Sequence, residues 1–347
     1  MFFKKMSKGV NNLKFFEAKD YNDCLDLKET QIAIKLLKDS FEAFLSSELH
    51  LMRVSAPLFV TTDTGLNDNL SGSEDAVTFT SKDVDGKTVE IVHSLAKWKR
   101  QALADYGLLV GEGIYTDMNA IRKDEDLDNT HSIYVDQWDW ELIITKEERN
   151  VEFLKTVVNK IYTAFRRIQD LVTRRYPWLP ATLPEEITFI TALELEELYP
   201  KLTPDEREHE ITKKHKAVFI LGIGDKLKNG QPHGSRAPDY DDWTLNGDIL
   251  FWYDQLDMAL ELSSMGIRVD ETRLIEQINR SDSNERLKLD YHQKLLNGEL
   301  PYTIGGGIGQ SRLCMYFLNK VHIGQVQAGL WDDETKQICK EKGIQLL

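Results

Sequence analysis

The chain has 347 residues, 41% hydrophobic and 29% charged, with a formal net charge of -14. It can bury a sizeable core, but its acidic balance argues against broad nucleic-acid binding, which is mostly phosphate neutralisation by Lys and Arg. A mean hydropathy of -0.41 and the lack of a long apolar run argue against a membrane span.

Met1–Ser7 has charge but no following apolar stretch, so no secretory signal is expected. Cys24, Cys314 and Cys339 are few and widely spaced, which fits a reducing, cytoplasmic setting without a zinc site.

Residues 1–26 have weak periodicity and are expected to form an N-terminal extension to a single domain over 27–347. From Lys28 to Leu49, Ile32, Leu36, Leu37, Phe41, Phe44 and Leu45 recur at helical spacing. Leu51–Pro57 reads as an extended piece ended by proline. Val77–Thr80 and Thr88–His93 predict a hairpin turned by Asp85-Gly86. A short helix over Lys97–Tyr106 follows.

Gly113–Ile121 and His131–Val135 read as strands joined by the charged loop Arg122–Asp128. Glu147–Tyr176 is the longest helical pattern, stopped by Pro177 and Pro180. Ile187–Ile190 is a short strand, and charge-laced helices run from Ala192 to Lys216. Ala217–Gly222, Asp248–Tyr253 and Met258–Ser263 read as strands, and Thr272–Arg280 and Asn284–Leu296 as helices. Gly305-Gly306-Gly307-Ile308-Gly309 reads as a glycine-dense turn before the buried helix Leu313–Leu318. Strands joined by short turns predict an α+β fold with a mainly antiparallel sheet flanked by helices, not a Rossmann sheet.

Several polar residues suggest chemistry. Arg312 on the first turn after the glycines can clamp a phosphate. Arg122 could grip the same group, and Glu125 a purine amino group, unless the loop is simply a solvated turn. Asp248 and Glu261 lie on consecutive strands, where acidic side chains either hold Mg2+ or merely sit on a tolerant sheet face. Asp239-Tyr240-Asp241-Asp242-Trp243 could position a cation or form a solvated turn. Asp68, Lys99, Gln137, Asp139 and Arg268 would suit an amino acid: acids for its ammonium group, cations for its carboxylates. His93 and the tryptophans Trp98, Trp138 and Trp140 read as structural.

Together these residues resemble the adenylating core of class II aminoacyl-tRNA synthetases. Val54-Ser55-Ala56-Pro57 occupies the place of that class's first motif, Arg122 with Glu125 is similar to the second, and Gly307–Arg312 to the third. The class usually spaces the second-motif arginine and glutamate by two; here the gap is three. Leu66–Gly72, His93–Arg100, Tyr134–Glu141, Arg236–Trp243 and Ser263–Val269 narrow the resemblance to ammonia-dependent asparagine synthetase, aspartate–ammonia ligase.

The resemblance implies ATP-dependent amidation of L-aspartate by ammonia, through a β-aspartyl adenylate, with AMP and diphosphate as products. It implies a homodimer that uses Mg2+ with ATP. It assigns the α-phosphate to Arg122, the γ-phosphate to Arg312, and metal and nucleotide to Asp248 and Glu261, with Glu125 also on the nucleotide. It gives aspartate to Asp68, Ser94, Lys99, Gln137, Asp139, Asp241, Ser264 and Arg268. The alternatives are an aspartyl- or asparaginyl-tRNA synthetase core and an inactive paralogue acting as a binding protein. Such tRNA-charging enzymes append an anticodon-binding domain, and the stretch before Leu51 looks too short to hold one.

Overall fold

The computed structural model describes Ala18, residues 21–68, Leu70 and residues 74–347. Asn69, Ser71 and Gly72 of the Asp68 loop, and most of the expected extension, lie outside the described residues.

Asp26 starts the first helix, α1 (Leu27–Leu49), by accepting the amide of Glu29 at 2.8 Å, which satisfies an otherwise orphan donor. Then come β1 (Leu51–Arg53), β2 (Phe59–Thr61), β3 (Thr78–Thr80), β4 (Thr88–Ile91) and α2 (Ala96–Asp105). The long strands β5 (Gly113–Ile121) and β6 (Tyr134–Ile143) lead into α3 (Val151–Arg175), capped by Asn150. Next are β7 (Thr188–Thr191), α4 (Ala192–Leu198), α5 (Pro204–His215), β8 (Ala217–Leu221), β9 (Asp241–Tyr253) and β10 (Met258–Arg268). The chain finishes with α6 (Glu271–Arg280), α7 (Asp290–Leu296), β11 (Thr303–Gly309), α8 (Gln310–Phe317) and α9 (Asp333–Glu341).

Eight strands form the main sheet in the order β1-β5-β6-β11-β10-β9-β8-β7. The pairs β1/β5 and β7/β8 are parallel and the rest antiparallel, so the expected mainly antiparallel sheet is present. The predicted hairpin of β3 and β4 is also present, extended by β2 into a small second sheet.

One face of the main sheet is apolar. Trp138, Trp140, Met265, Ile267, Ile304, Ile308 and Phe251 are all buried there, against α1, α3 and α8. Phe41 of α1 meets Trp138 at 4.8 Å and Phe165 of α3 at 5.0 Å, centroid to centroid. The apolar stripe of α1 is used inside the subunit: Ala33, Leu37, Phe41, Leu45 and Leu49 are buried in this core. The apolar side chains left open near the β1 edge include Met52, Leu58 and Phe59, each about half exposed.

Several sequence-derived bounds shift. The glycine segment is not a turn but strand β11, paired on both sides. Glycines hide a strand because they carry no side chains to alternate. The strand read as His131–Val135 is Tyr134–Ile143, so Asp136–Glu141 lies within the sheet. Strands β9 and β10 reach Asp241 and Arg268, beyond the expected cores. The helix read over Asn284–Leu296 breaks into a 3-10 turn, Asn284–Lys288, and α7. The described end of the leader is tied down: Asp23 meets buried Lys320 at 2.6 Å, and Leu25 is in the core.

Candidate active site

The other face of the sheet is polar at its centre. Alternation on β6 puts Gln137, Asp139 and Glu141 on one side, opposite Gly309, Gly307 and Gly305 of β11. Gly307 and Gly305 pair across with Ser264 and Gly266 of β10, and Ser264 in turn faces Asp248 of β9. Arg268, after a bulge, faces Asp241. Eight of the thirteen expected site residues therefore share one sheet face: Gln137, Asp139, Ser264, Arg268, Asp241, Asp248 and Glu261 by register, with Lys99 reaching in from α2.

The glycines are required by what leans over them. A Cβ on Gly305 would overlap Glu141 Oε2, and one on Gly307 would overlap Gln137 Oε1 and come 3.3 Å from Asp139 Oδ1. Gly306 points to the apolar side, where a Cβ would sit 2.5 Å from that of Met265. The glycine strand is thus a low floor between two polar walls.

Two buried cations stand on that floor. Lys99 Nζ donates to Asp139 Oδ1 at 2.6 Å and to the Gly306 carbonyl at 3.1 Å, with Glu141 at 3.8 Å. Burial pushes the Lys99 ammonium down from its usual range, against the pull of Asp139 and Glu141. Arg268 clamps Glu141 through Nε and Nη2 at 2.9 and 2.7 Å and also bonds Asp241. Burial raises the Glu141 carboxyl, but Arg268, Lys99 and Thr303 outweigh it and hold it below the usual range. Asp139 also accepts the Leu95 amide at 3.2 Å, which ties the start of α2 to the floor, and Ser94 accepts the Ala96 amide at 3.2 Å. The amino acid's expected partners are thus fixed by one another.

A second group gathers at the far end of β10. Arg312 on α8 donates to the Glu261 carbonyl at 3.0 Å, lies 3.8 Å from its carboxylate, and meets His131 Nε2 at 2.9 Å. His131 is held by Asp128 at 2.9 Å. Burial raises the Asp128 carboxyl, but His131 and Thr130 bring it down to about 2.

Glu261 pairs with Leu250, two residues from Asp248, so both carboxylates face the same way. Asp248 is gripped through both oxygens by Arg236. Burial, with Glu261 and Glu208 nearby, still lifts its carboxyl to about 6 against the pull of Arg236. Among the described residues no group of three or more His, Cys, Asp or Glu is arranged to hold a metal by itself.

Arg122 follows β5 in the loop that precedes β6. Its Nε is buried with no hydrogen-bond partner among the described residues, and its charge reaches His93. Glu125 is only partly buried, and its amide bonds the Arg122 carbonyl at 3.2 Å. Asp68 is buried: Oδ1 accepts the Leu70 amide at 2.9 Å, and Oδ2 has no partner among the described residues. The acidic stretch 239–243 does hold cations, but the chain's own: Lys97 on Asp239, Arg268 on Asp241, and Arg149 and Arg273 on Asp242.

Reasoning from sequence missed Glu141, His131 and Arg236. For Glu141 a signal existed, since Gln137, Asp139 and Glu141 alternate with tryptophans. His131 and Arg236 gave none, because their partners Arg312 and Asp248 are brought to them by the fold.

The model of the aspartate-ammonia ligase family matches residues 28–343. An aspartate–ammonia ligase of Ruminiclostridium cellulolyticum is 58% identical over 94% of this chain and 97% of its own length. One from Fusobacterium nucleatum is 60% identical over 94% and 99%. In fold, the chain is similar to asparaginyl-tRNA synthetase from Pyrococcus horikoshii complexed with asparaginyl-adenylate: TM-score 0.64, 14% identity, 87% of this chain and 70% of that one. Aspartyl-tRNA synthetase from Entamoeba histolytica gives a TM-score of 0.59 at 18% identity, covering 89% and 60%. The fold is that of a class II synthetase core, and by sequence the chain belongs to the aspartate–ammonia ligase family.

Proposed function

We propose that this protein joins ammonia to L-aspartate at the expense of ATP, giving L-asparagine, AMP and diphosphate. The observation that carries the reading is the glycine floor of β11, flanked by Lys99 and Arg268 at one end and Arg312 at the other. An amino acid at the first end and a triphosphate at the second would bring a carboxylate to the α-phosphate.

A carboxylate is a poor electrophile, so its oxygen is first turned into a leaving group. The β-carboxylate oxygen bonds to the α-phosphorus as the bond to diphosphate breaks. Arg122 and Arg312 neutralise the charge on the phosphates. Lys99, Arg268 and Ser264 hold the substrate's carboxylates, while Asp139, Asp241 and Gln137, with Ser94 at the start of α2, fix its ammonium end. Glu125 contacts the nucleotide. Asp68 then takes a proton from ammonium, the freed ammonia attacks the β-carbonyl, the C–O bond breaks with its electron pair leaving on AMP, and the nitrogen's second surplus proton passes to water, which leaves the neutral amide.

The carboxylates of Asp248 and Glu261 suit Mg2+, which takes one or two such oxygens and completes its shell with phosphates and water. Bound there, it would supply charge neutralisation for diphosphate departure. Arg236, which grips Asp248, would lie beside the phosphates held at that carboxylate.

The nitrogen donor is ammonia, not glutamine. A glutaminase commonly needs an activated cysteine, whereas burial pushes the thiols of Cys314 and Cys339 up to about 12 and 11. Cys24 is exposed near the leader. The protein works in the cytoplasm as a homodimer whose interface includes the open apolar side chains beside β1.

AMP formation from ATP and aspartate, with and without ammonium, tests the reading. ADP as the stoichiometric product would sink it, and asparagine formed from glutamine in ammonia-free buffer would overturn the donor. Full activity of a sedimenting monomer would remove the dimer, and undiminished activity after chelation would remove Mg2+.

A further inference from the structure

Behind the loop that carries Asp68 lies a buried ionic cluster separate from the phosphate-binding end. Asp239, fully buried, receives three donors on one oxygen: Lys97 Nζ at 3.1 Å, Arg286 Nη1 at 3.1 Å and His292 Nε2 at 2.9 Å. Its other oxygen has no hydrogen-bond partner among the described residues. The four groups come from α2, the loop before β9, the turn Asn284–Lys288 and α7, so only the folded chain assembles them. Burying four polar side chains is costly unless they are paired.

The Asp68 loop rests on this cluster. Gly65 has φ +69°, and a Cβ there would lie 2.8 Å from Leu289 Cβ and 3.4 Å from His292 Nδ1. Asn67 pins the loop: its amide donates to Glu90 at 2.8 Å, and its carbonyl accepts the amides of Asp68 and His93 at 2.9 Å each. His93 Nδ1 meets the Asp68 carbonyl at 2.9 Å. Asp68 Oδ2 is left buried and unpartnered among the described residues, a place that calls for a donor. Burial lifts the Asp68 carboxyl to about 6; Lys97 and Arg286 pull it down, and Asp239 pushes it up. Tyr240 feels the charges of both Asp68 and Asp241, which links the loop to the aspartate end of the floor.

We propose that Lys97, Asp239, Arg286 and His292 are positioning residues for the ammonia step: they support the Asp68 loop from behind, so that its open oxygen receives ammonium. The inference rests on the assignment of Asp68 to that step. Lys97 and Arg286 act through charge, Asp239 by fixing both of them, and His292 by supporting Gly65. The proton passes from ammonium to Asp68 and leaves to water after AMP departs.

Lys97→Gln and Arg286→Gln test this with two assays. Aspartate-dependent exchange of diphosphate into ATP, without ammonia, reads adenylation; asparagine formation against ammonium concentration and pH reads amination. Exchange is expected to stay within about twofold of wild type. Removing a cation raises the Asp68 pKa, so the acidic limb of amination is expected to move to higher pH by roughly half to one unit, more for Lys97→Gln.

A merely structural role would not move that limb. An unmoved limb, or exchange and amination falling together, overturns the proposal. Arg286, with its side chain 14% exposed at the rim, decides alone if Lys97→Gln does not fold. Asp68→Asn is the reference. Normal amination in that variant removes the assignment of Asp68 itself. Selective loss of amination there, with unmoved limbs in the other two, removes only this inference.

Discussion

The two faces of the central sheet are built from alternate residues of the same strands, and they obey opposite rules. On the face toward α1 and α3, Trp138, Trp140, Ile304, Ile308 and Met265 fill space, and their value is the apolar area they remove from water. On the other face, Gln137, Asp139, Glu141, Lys99 and Arg268 surround bare glycines, and their value is charge held in place. Burying Lys99 and Arg268 gains little stability by itself, because desolvation offsets most of the attraction to Asp139, Glu141 and Asp241. The apolar face supplies the stability that lets the polar face remain a site.

If that division holds, removing the cation proposed to meet phosphate should cost activity without stability. Arg312→Ala is expected to lower diphosphate exchange by about 10³-fold, the scale for a lost transition-state cation. Its hydrogen bonds to Glu261, Thr130 and His131 lie at the mouth of the site, so the melting temperature should barely move. Normal exchange in Arg312→Ala would break the assignment of this end to phosphate.

The adjacent glycines of β11 allow the same substitution on each face. Gly307→Ala drives a methyl into the end of Gln137 and toward Asp139. Exchange should fall by roughly 10²-fold, as expected when a substrate is misplaced, with little change in stability because the Gln137 tip can move. Gly306→Ala meets Met265 Cβ at 2.5 Å and the Ser264 carbonyl at 2.6 Å, where backbone must shift. About 1–3 kcal/mol of stability should be lost, with the Michaelis constants of the folded protein unchanged. Equal profiles for the two variants would erase the distinction between the faces.

The apolar face was the easier of the two to read from sequence. The stripe of α1 and that of α3 recur at helical spacing, and both helices lie where the periodicity puts them. The polar face was legible residue by residue but not as a surface. Its floor is a strand of glycines, which shows no alternation, and its walls come from strands that sequence cut short at Val135 and Ser263. Polar side chains pointing into a site break the hydrophobic pattern by which a strand is recognised. Eight of the thirteen expected site residues share that face, and the family resemblance supplied the set. Periodicity alone would not have joined Lys99 to Asp139 across 40 residues, or Arg312 to Glu261 across 51.

Asp68 gives the comparison its finest test, because at this buried loop residue stability should rise as function is lost. Burial lifts its carboxyl to about 6, above the ordinary 3.8. A carboxyl raised on folding binds its proton more tightly in the native state, so stability falls as pH rises through that window. The cost is absent below about pH 4, grows between the two values and is complete above about pH 6. Asparagine keeps the carbonyl oxygen that accepts the Leu70 amide and carries no charge to desolvate. Asp68→Asn should therefore melt higher than wild type at pH 8, by about 1–3 kcal/mol in unfolding free energy, and the advantage should vanish near pH 4. Its amination should fall by about 10²-fold, the scale of a lost proton acceptor, while diphosphate exchange persists. Wild-type amination should itself decline as pH drops through about 6, where Asp68 takes up its proton. Thermal melts at the two pH values, beside both half-reactions, separate the outcomes. A variant that aminates normally would return Asp68 to the role of a loop cap, and one destabilised at pH 8 would show that its buried charge is compensated.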